Sequence, residues 1–481
     1  MVYGGRTALA ARIVAGMVLW MTVNVGCFSE RSFRLDPSDS VALPESGLPE
    51  DGCSTREWLR RAHAQLAPLL PPGPRPPLLT EEIGDGEGRA VDVFAHFGID
   101  RSSLQSILRN LRGITYSAQA ASRDYYIHRQ APPWPGFEDI WIPVRLAIDR
   151  ELYCSGRIGY ARDARGEIID ADCIVILPGL FGDHGVKRSA DLAIPLRESG
   201  CHVLHLELRG HGQTEARCPD VTHTFGVIEP DDLMQVADWL QSQPHIRRTG
   251  LIGYCWNANI VLLAAWYENR LPDDPAIPPA LRPYYVCPVE PEKRRFEAGV
   301  IAFSPVVRWE VLMDELDRPR NRLVHPVYAA IQDTVRDRME FKGWPSPSGN
   351  LRLLVSHESD HYRLPLPRGA AEGYPVLRLL PYKDQPATDK LGRARMPVLI
   401  VHGADDPLVP AQDAADLIAS VSNRKVAGLI LPTGGHVGFA AYAPRYYLSL
   451  IRNFFDPRTG PAACAAQARE PAARSERGGP R

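Results

Sequence analysis

The sequence predicts an α/β fold in which a mostly parallel sheet carries helices on both faces, and three observations predict it. Five runs are rich in apolar residues: Cys173 to Leu177, His202 to Leu208, Gly299 to Ser304, Val398 to Gly403 and Val426 to Leu431. Strands of a parallel sheet read this way because crossover helices bury them from both sides. Helical patterns fall between the runs; over Asp231 to Gln243, Leu233, Val236, Ala237 and Leu240 share one face. The runs also end in glycine-bearing turns, as in Pro178-Gly179, Arg209-Gly210-His211-Gly212 and Gly434-Gly435-His436. Strands alternating with helices in this order build one layered domain.

The elements follow in chain order. Arg6 and Arg12 precede an apolar stretch from Ile13 to Gly26. It is too short for a membrane span and suits an export signal or N-terminal anchor over residues 1–27. Val25-Gly26-Cys27 resembles the end of a bacterial lipoprotein signal, which makes Cys27 a candidate for lipidation and places the protein in the cell envelope. Residues 28–53 are polar with Pro and Ser and read as a linker. Ser54-Thr55-Arg56-Glu57 is a capping box, so a helix is expected through Leu66, ending at the Pro68–Pro77 run. Ser102-Ser103-Leu104-Gln105 repeats the signal, with Leu104, Ile107, Leu108 and Leu111 as its stripe. Residues 54–135 are therefore expected to form a small helical preface.

The main domain is expected over 136–457, opening on strands at Ile140–Val144 and Leu152–Ala161. Between the runs at 299–304 and 398–403 lies an insertion, about 308–396. One helix within it runs from Pro326 to Gly343, with Val327, Ile331, Val335 and Met339 on one face. Above the strand ends such an insertion would form a lid, or else a surface excursion. The tail 458–481 is Ala, Arg, Gly and Pro, and is expected to be disordered.

Composition removes several functions. With 23% charged and 44% apolar residues the chain is an ordinary globular one. A net charge of −2 leaves no basic surplus for nucleic acid. Nine cysteines without a C-x-x-C pair suggest neither a disulfide scaffold nor a zinc site, and no cofactor is implied.

The chemistry concentrates at Cys255. In Leu251-Ile252-Gly253-Tyr254-Cys255-Trp256-Asn257 an apolar strand leads into a helical stretch, Ala258 to Trp266. This is the strand–turn–helix setting of a nucleophile elbow, normally G-x-S-x-G. A thiol there gains from the helix N-terminus and from a nearby imidazole. Asn257 stands where glycine is usual; the alternative is an inert cysteine in a β–α turn. Two later segments favour the nucleophile. In His402-Gly403-Ala404-Asp405-Asp406-Pro407 the acid falls on Asp406, with Asp405 as fallback. In Gly434-Gly435-His436-Val437-Gly438-Phe439 the glycines let His436 reach across the strand ends. Cys255, Asp406, His436 is the nucleophile–acid–histidine order of such an elbow. An oxyanion site needs two backbone N–H groups: Trp256 is expected to supply one and Leu180 the other, with Phe181 second. His184 lines the pocket or is simply a polar loop residue. The Glu207–Gly212 turn reads as structural.

These segments resemble the α/β-hydrolase superfamily. Gly179-Leu180 with Gly182, Asp405-Asp406-Pro407, Asn259 and Gly435-His436-Val437-Gly438-Phe439 resemble its YheT-like branch of hydrolases and esterases. Cys255 replaces the usual serine and Asn257 the usual glycine. A Cys–His–Asp set within this fold also resembles dienelactone hydrolases and polyhydroxyalkanoate synthases. The resemblance implies the α/β-hydrolase fold and hydrolysis of carboxylic esters or thioesters on a small-molecule or lipid-like acyl substrate. The alternatives are an acyltransferase on the same triad and a non-catalytic envelope protein that keeps the fold.

Overall fold

The computed structural model describes residues 35–44, 54–73, 75–84, 89–99, 111–117, 131–147, 150–318, 332–333, 355, 375–381 and 389–462. The expected export segment, most of the linker, the stripe from Leu104 to Leu108, all but two residues of the expected helix Pro326 to Gly343 and the tail beyond 462 lie outside them.

Among the described residues nine strands form one sheet: β1 (Leu78–Leu79), β2 (Glu138–Leu146), β3 (Arg150–Gly159), β4 (Ala171–Leu177), β5 (His202–Glu207), β6 (Ile246–Tyr254), β7 (Gly299–Phe303), β8 (Val398–Gly403) and β9 (Val426–Leu431). Their spatial order is β1-β9-β8-β7-β6-β4-β5-β3-β2. The six strands from β5 to β9 with β4 among them are parallel, while β3 and β1 run against them and β2, antiparallel to β3, again follows their direction.

Period-two alternation sends each buried strand's side chains to two different cores. In β4, Ile174 and Ile176 join one core while Cys173, Val175 and Leu177 join the other. The first core takes Leu192 and Leu196 of the helix Lys187–Glu198, Trp58 of Thr55–Leu66 and Phe454 of Pro444–Phe455. The second takes the helices Glu229–Gln241, Trp256–Tyr267 and Ala411–Ser420. Trp256–Tyr267 is buried at every position, which suits a helix apolar all round.

The strand order turns about β4, since β5 lies on one side of it and β6 on the other. At such a switch point the loops at the carboxyl ends of neighbouring strands diverge and leave a crevice. The loops after β4, β6, β8 and β9 all leave the sheet at this carboxyl edge.

The segment before residue 136 is more than helical. Ser54 caps the helix Thr55–Leu66 by accepting from Glu57 N–H at 3.1 Å. Leu78 and Leu79 then add an edge strand to β9, which the sequence does not announce because two residues carry no periodicity. Of the insertion, the helix Trp309–Asp317 and residues 375–380 pack into the core, and a buried Glu310–Arg378 ion pair at 2.7 Å joins them. Lys390 Nζ ties the same segment by donating to the carbonyls of Pro375, Val376 and Arg378.

Candidate active site

Cys255 follows β6 directly and has φ 56° and ψ −121°. A non-glycine residue in that region is strained, and such strain persists only when its surroundings impose it. Here Cys255 N–H donates to Phe303 O of β7 at 2.9 Å, and Ala258 N–H donates to Cys255 O at 3.1 Å. Gly253 has to be glycine: a Cβ there would lie 2.3 Å from the Asn257 carbonyl oxygen. Asn257, where the motif usually has glycine, is buried, and its Nδ2 donates to the Pro178 carbonyl at the end of β4. The larger residue therefore spans from the helix start to the neighbouring loop.

The loops after β8 and β9 bring an acid and an imidazole to the same edge. Asp406 Oδ2 accepts from His436 Nδ1 at 2.8 Å. Its Oδ1 accepts from the N–H groups of Leu408 and Val409 at 2.8 and 2.9 Å. The Asp406 side chain is fully buried; burial raises its pKa, but the His436 charge and hydrogen bond outweigh burial and hold it below the usual carboxylate range. Burial disfavours the His436 cation, yet Asp406 and then Cys255 carry its pKa up to about 10. Cys255 thus lies close enough to the ring to act on its charge, and His436 Nε2 makes no hydrogen bond to any described residue.

Asp405 does different work. It accepts from Thr433 Oγ1 and from Gly435 N–H at 2.9 Å, so it shapes the histidine loop without touching the imidazole. Burial raises its pKa to about 6.

The loop after β4, where the sequence places an oxyanion donor, lies beside the elbow, since β4 and β6 are neighbours. A Cβ on Gly179 would lie 3.6 Å from Cys255 Cβ. Phe181 N–H points away and donates to His211 Nε2 at 3.0 Å, while His211 Nδ1 faces the Arg209 carbonyl at 2.8 Å. The Leu180 and Trp256 N–H groups donate to no described residue. Trp256 opens its helix, where backbone N–H groups lack intrahelical acceptors. Both N–H groups that the sequence singles out are therefore without an acceptor among the described residues.

His184 does not face this site. It is buried, with Nδ1 2.7 Å from His205 Nδ1 and Nε2 3.0 Å from Ser155 Oγ, and burial lowers its pKa to about 3. In the Glu207–Gly212 turn, Glu207 accepts from His184 and Gln213 N–H, and Arg209 forms a buried pair with Asp232.

The sequence gives no sign of two serines beside the histidine loop. Ser117 Oγ accepts from His436 N–H at 2.7 Å, and Ser304 Oγ from Val437 N–H at 3.4 Å. Each is a single polar residue without local pattern; only the fold brings them here.

Residues 174–447 match the alpha/beta hydrolase family. No curated protein sequence matches the chain. Among solved structures, the Pyrococcus furiosus esterase Pf2001 is similar at 16% identity, over 70% of this chain and 100% of that one, with a TM-score of 0.41. The Pyrococcus horikoshii acylaminoacyl peptidase is similar at 13% identity over 68% of this chain and 42% of that one, TM-score 0.38. A 2,6-dihydroxy-pseudo-oxynicotine hydrolase is similar at 12% identity over 84% and 86% respectively, TM-score 0.43.

Proposed function

Because the chain belongs to the alpha/beta hydrolase family, we propose that it hydrolyses carboxylic esters or thioesters through Cys255, His436 and Asp406. The observation that carries this reading is the meeting of three strand-end loops: a thiol on a strained elbow, an imidazole whose Nε2 is left without a described partner, and a buried carboxylate 2.8 Å from Nδ1. Spacing within one loop does not produce such an arrangement.

In the proposed reaction Cys255 Sγ attacks the acyl carbon while His436 Nε2 holds the proton that came from the thiol. Asp406 holds the ring with Nδ1 protonated and stabilises the cation that forms. The negative oxygen of the tetrahedral intermediate sits between the Leu180 and Trp256 N–H groups. Collapse expels the alcohol or thiol, which takes the proton from His436 and leaves a thioester on Cys255. Water then attacks the thioester, giving a proton to His436. Breakdown releases the carboxylic acid and returns the proton to the thiol.

The substrate class is a small-molecule or lipid-like acyl compound. Leu180 and Phe181 bring apolar side chains to the loop after β4, and the insertion after β7 would supply a lid. Residues 1–27 would direct export or anchoring, with Cys27 the candidate lipidation site; the mass of the mature N-terminus tests that point. Among the described residues no helix is long and apolar enough to cross a membrane. The test of the activity is turnover of simple p-nitrophenyl esters and acyl thioesters by the wild type and Cys255→Ala. Loss of turnover in the variant is expected; full activity would end the assignment.

A further inference from the structure

We propose that Ser117 is a positioning residue for His436, so that the segment before the family-matched region helps set the acyl-transfer geometry. The inference rests on the assignment of His436 as the base. Ser117 lies in the helical stretch 111–117, outside residues 174–447. Its Oγ accepts from His436 N–H at 2.7 Å and donates to the Gly113 carbonyl at 2.6 Å. A hydroxyl has one proton and two acceptor sites, so both bonds hold at once.

The bond sits at a contact of three backbones. A Cβ on Gly435 would fall 2.0 Å from Gly113 O, one on Gly438 2.5 Å from Tyr116 O, and one on Gly113 2.0 Å from Asp405 O. Gly434 and Gly435 have φ 141° and 55°, a backbone that glycine adopts freely and therefore holds weakly by itself. The stretch 111–117 presses on that loop, and the Tyr116 ring meets Tyr442 edge-on at 5.7 Å.

The same N-terminal region also grips the strand feeding the loop. Leu78 and Leu79 pair with Ile430 and Leu429 of β9, and Thr80 Oγ1 accepts from Gly428 N–H at 2.8 Å. Strand and loop are thus both held by residues before 118. His436 reaches the thiol and Asp406 together only if its backbone is fixed, and the Ser117 bond fixes it at the histidine's own N–H. Loss of that bond frees the ring to drift, and a misplacement of about 1 Å at reacting groups lowers rate by about 100-fold.

The test is carboxamidomethylation of Cys255 by iodoacetamide across a pH series, followed by peptide mapping, in the full chain lacking only residues 1–27. Wild type is compared with Ser117→Ala and with the near-isosteric pair Ser117→Thr and Ser117→Val. The Ala and Val proteins are expected to label about 10-fold to 100-fold more slowly at neutral pH, with reactivity displaced to higher pH, and the Thr protein near the wild-type rate. Ala and Val proteins that label like the wild type overturn the inference, as does a Thr protein as slow as Val, which would mean packing alone. If Ala fails to fold, the Thr–Val difference decides; a Val protein that fails to fold while Thr folds marks the hydroxyl as structural and also overturns it. A wild type that shows no enhanced labelling at Cys255 removes the triad reading itself, and the inference with it, whereas an activated wild type with indifferent Ser117 variants removes only the inference.

Discussion

Replacing Asp406 by asparagine should cost far more activity than stability. The carboxylate makes three hydrogen bonds, two on Oδ1 from Leu408 and Val409 N–H and one on Oδ2 from His436 Nδ1. An asparagine that keeps its oxygen toward the two backbone donors turns its NH2 toward Nδ1. The ring must then carry its proton on Nε2 and can no longer accept the thiol proton. An imidazole held in the wrong tautomer loses about 10⁴-fold in turnover, which is about 5 kcal/mol of barrier. The fold loses less. Each bond to an anion weakens by about 1 kcal/mol when its acceptor becomes neutral, and relief from burying a charge offsets part of that. Steady-state kinetics with a p-nitrophenyl ester, paired with denaturant unfolding, separates the two effects. Asp405→Asn is the control, because Asp405 holds Thr433 and Gly435 rather than the ring. Its turnover should fall far less, with the change appearing mainly in stability. The reasoning is refuted if Asp406→Asn stays within ten-fold of wild type, or if a folded Asp405→Asn protein loses as much.

Three more outcomes follow. Gly253→Ala should destabilise the protein by about 2 kcal/mol or more, since the new methyl carbon would stand 2.3 Å from the Asn257 carbonyl and overpacking of rigid backbone costs about 1–3 kcal/mol; thermal unfolding checks it, and an unchanged Tm would contradict it. Arg378→Met should destabilise by about 3–5 kcal/mol because it strands the buried Glu310 carboxylate, whereas the double variant Glu310→Leu/Arg378→Met should recover most of the loss. The Asp406–His436 pair sets a pH window. Despite burial, Asp406 and Cys255 raise the His436 pKa from its ordinary 6.5 to about 10, so its contribution to stability is full below 6.5 and fades as pH rises toward 10. Asp406 is shifted the other way, so its contribution is present above its ordinary 3.8 and lost as pH falls below that. The stability difference between wild type and His436→Gln, measured by denaturant unfolding, should therefore shrink from pH 6.5 to 10; a difference that grows over that range would contradict the pairing.

Local signals in the sequence were enough for some of this architecture and not for the rest. Val398–Gly403 and Val426–Leu431 have the bounds that their apolar runs suggest, because turn residues close each run sharply. Ser54 caps its helix by accepting from Glu57 N–H three residues on, the N-cap half of the expected capping box. The elbow helix begins at Trp256 rather than Ala258, since the turn is a single strained residue and no spacer is needed. β1 escapes notice because its pairing partner is some 350 residues away in the chain. Asn257 looks like a defect in the motif until Pro178 O stands opposite its amide. The choice between Asp406 and Asp405 is made in the sequence by spacing alone; in the fold, only Asp406 meets the His436 ring. Ser117 and Ser304 have no local pattern, and their place beside the histidine loop depends wholly on tertiary contacts.

The central claim, that Cys255 carries the acyl group, is tested most directly by trapping it. The wild type is mixed with p-nitrophenyl butyrate, quenched in acid within milliseconds, digested and read by mass spectrometry. A butyryl mass on the peptide that contains Cys255, absent from His436→Ala treated alike, is the predicted result. Ester turnover with no acyl group on Cys255, or turnover that survives Cys255→Ala, would contradict it.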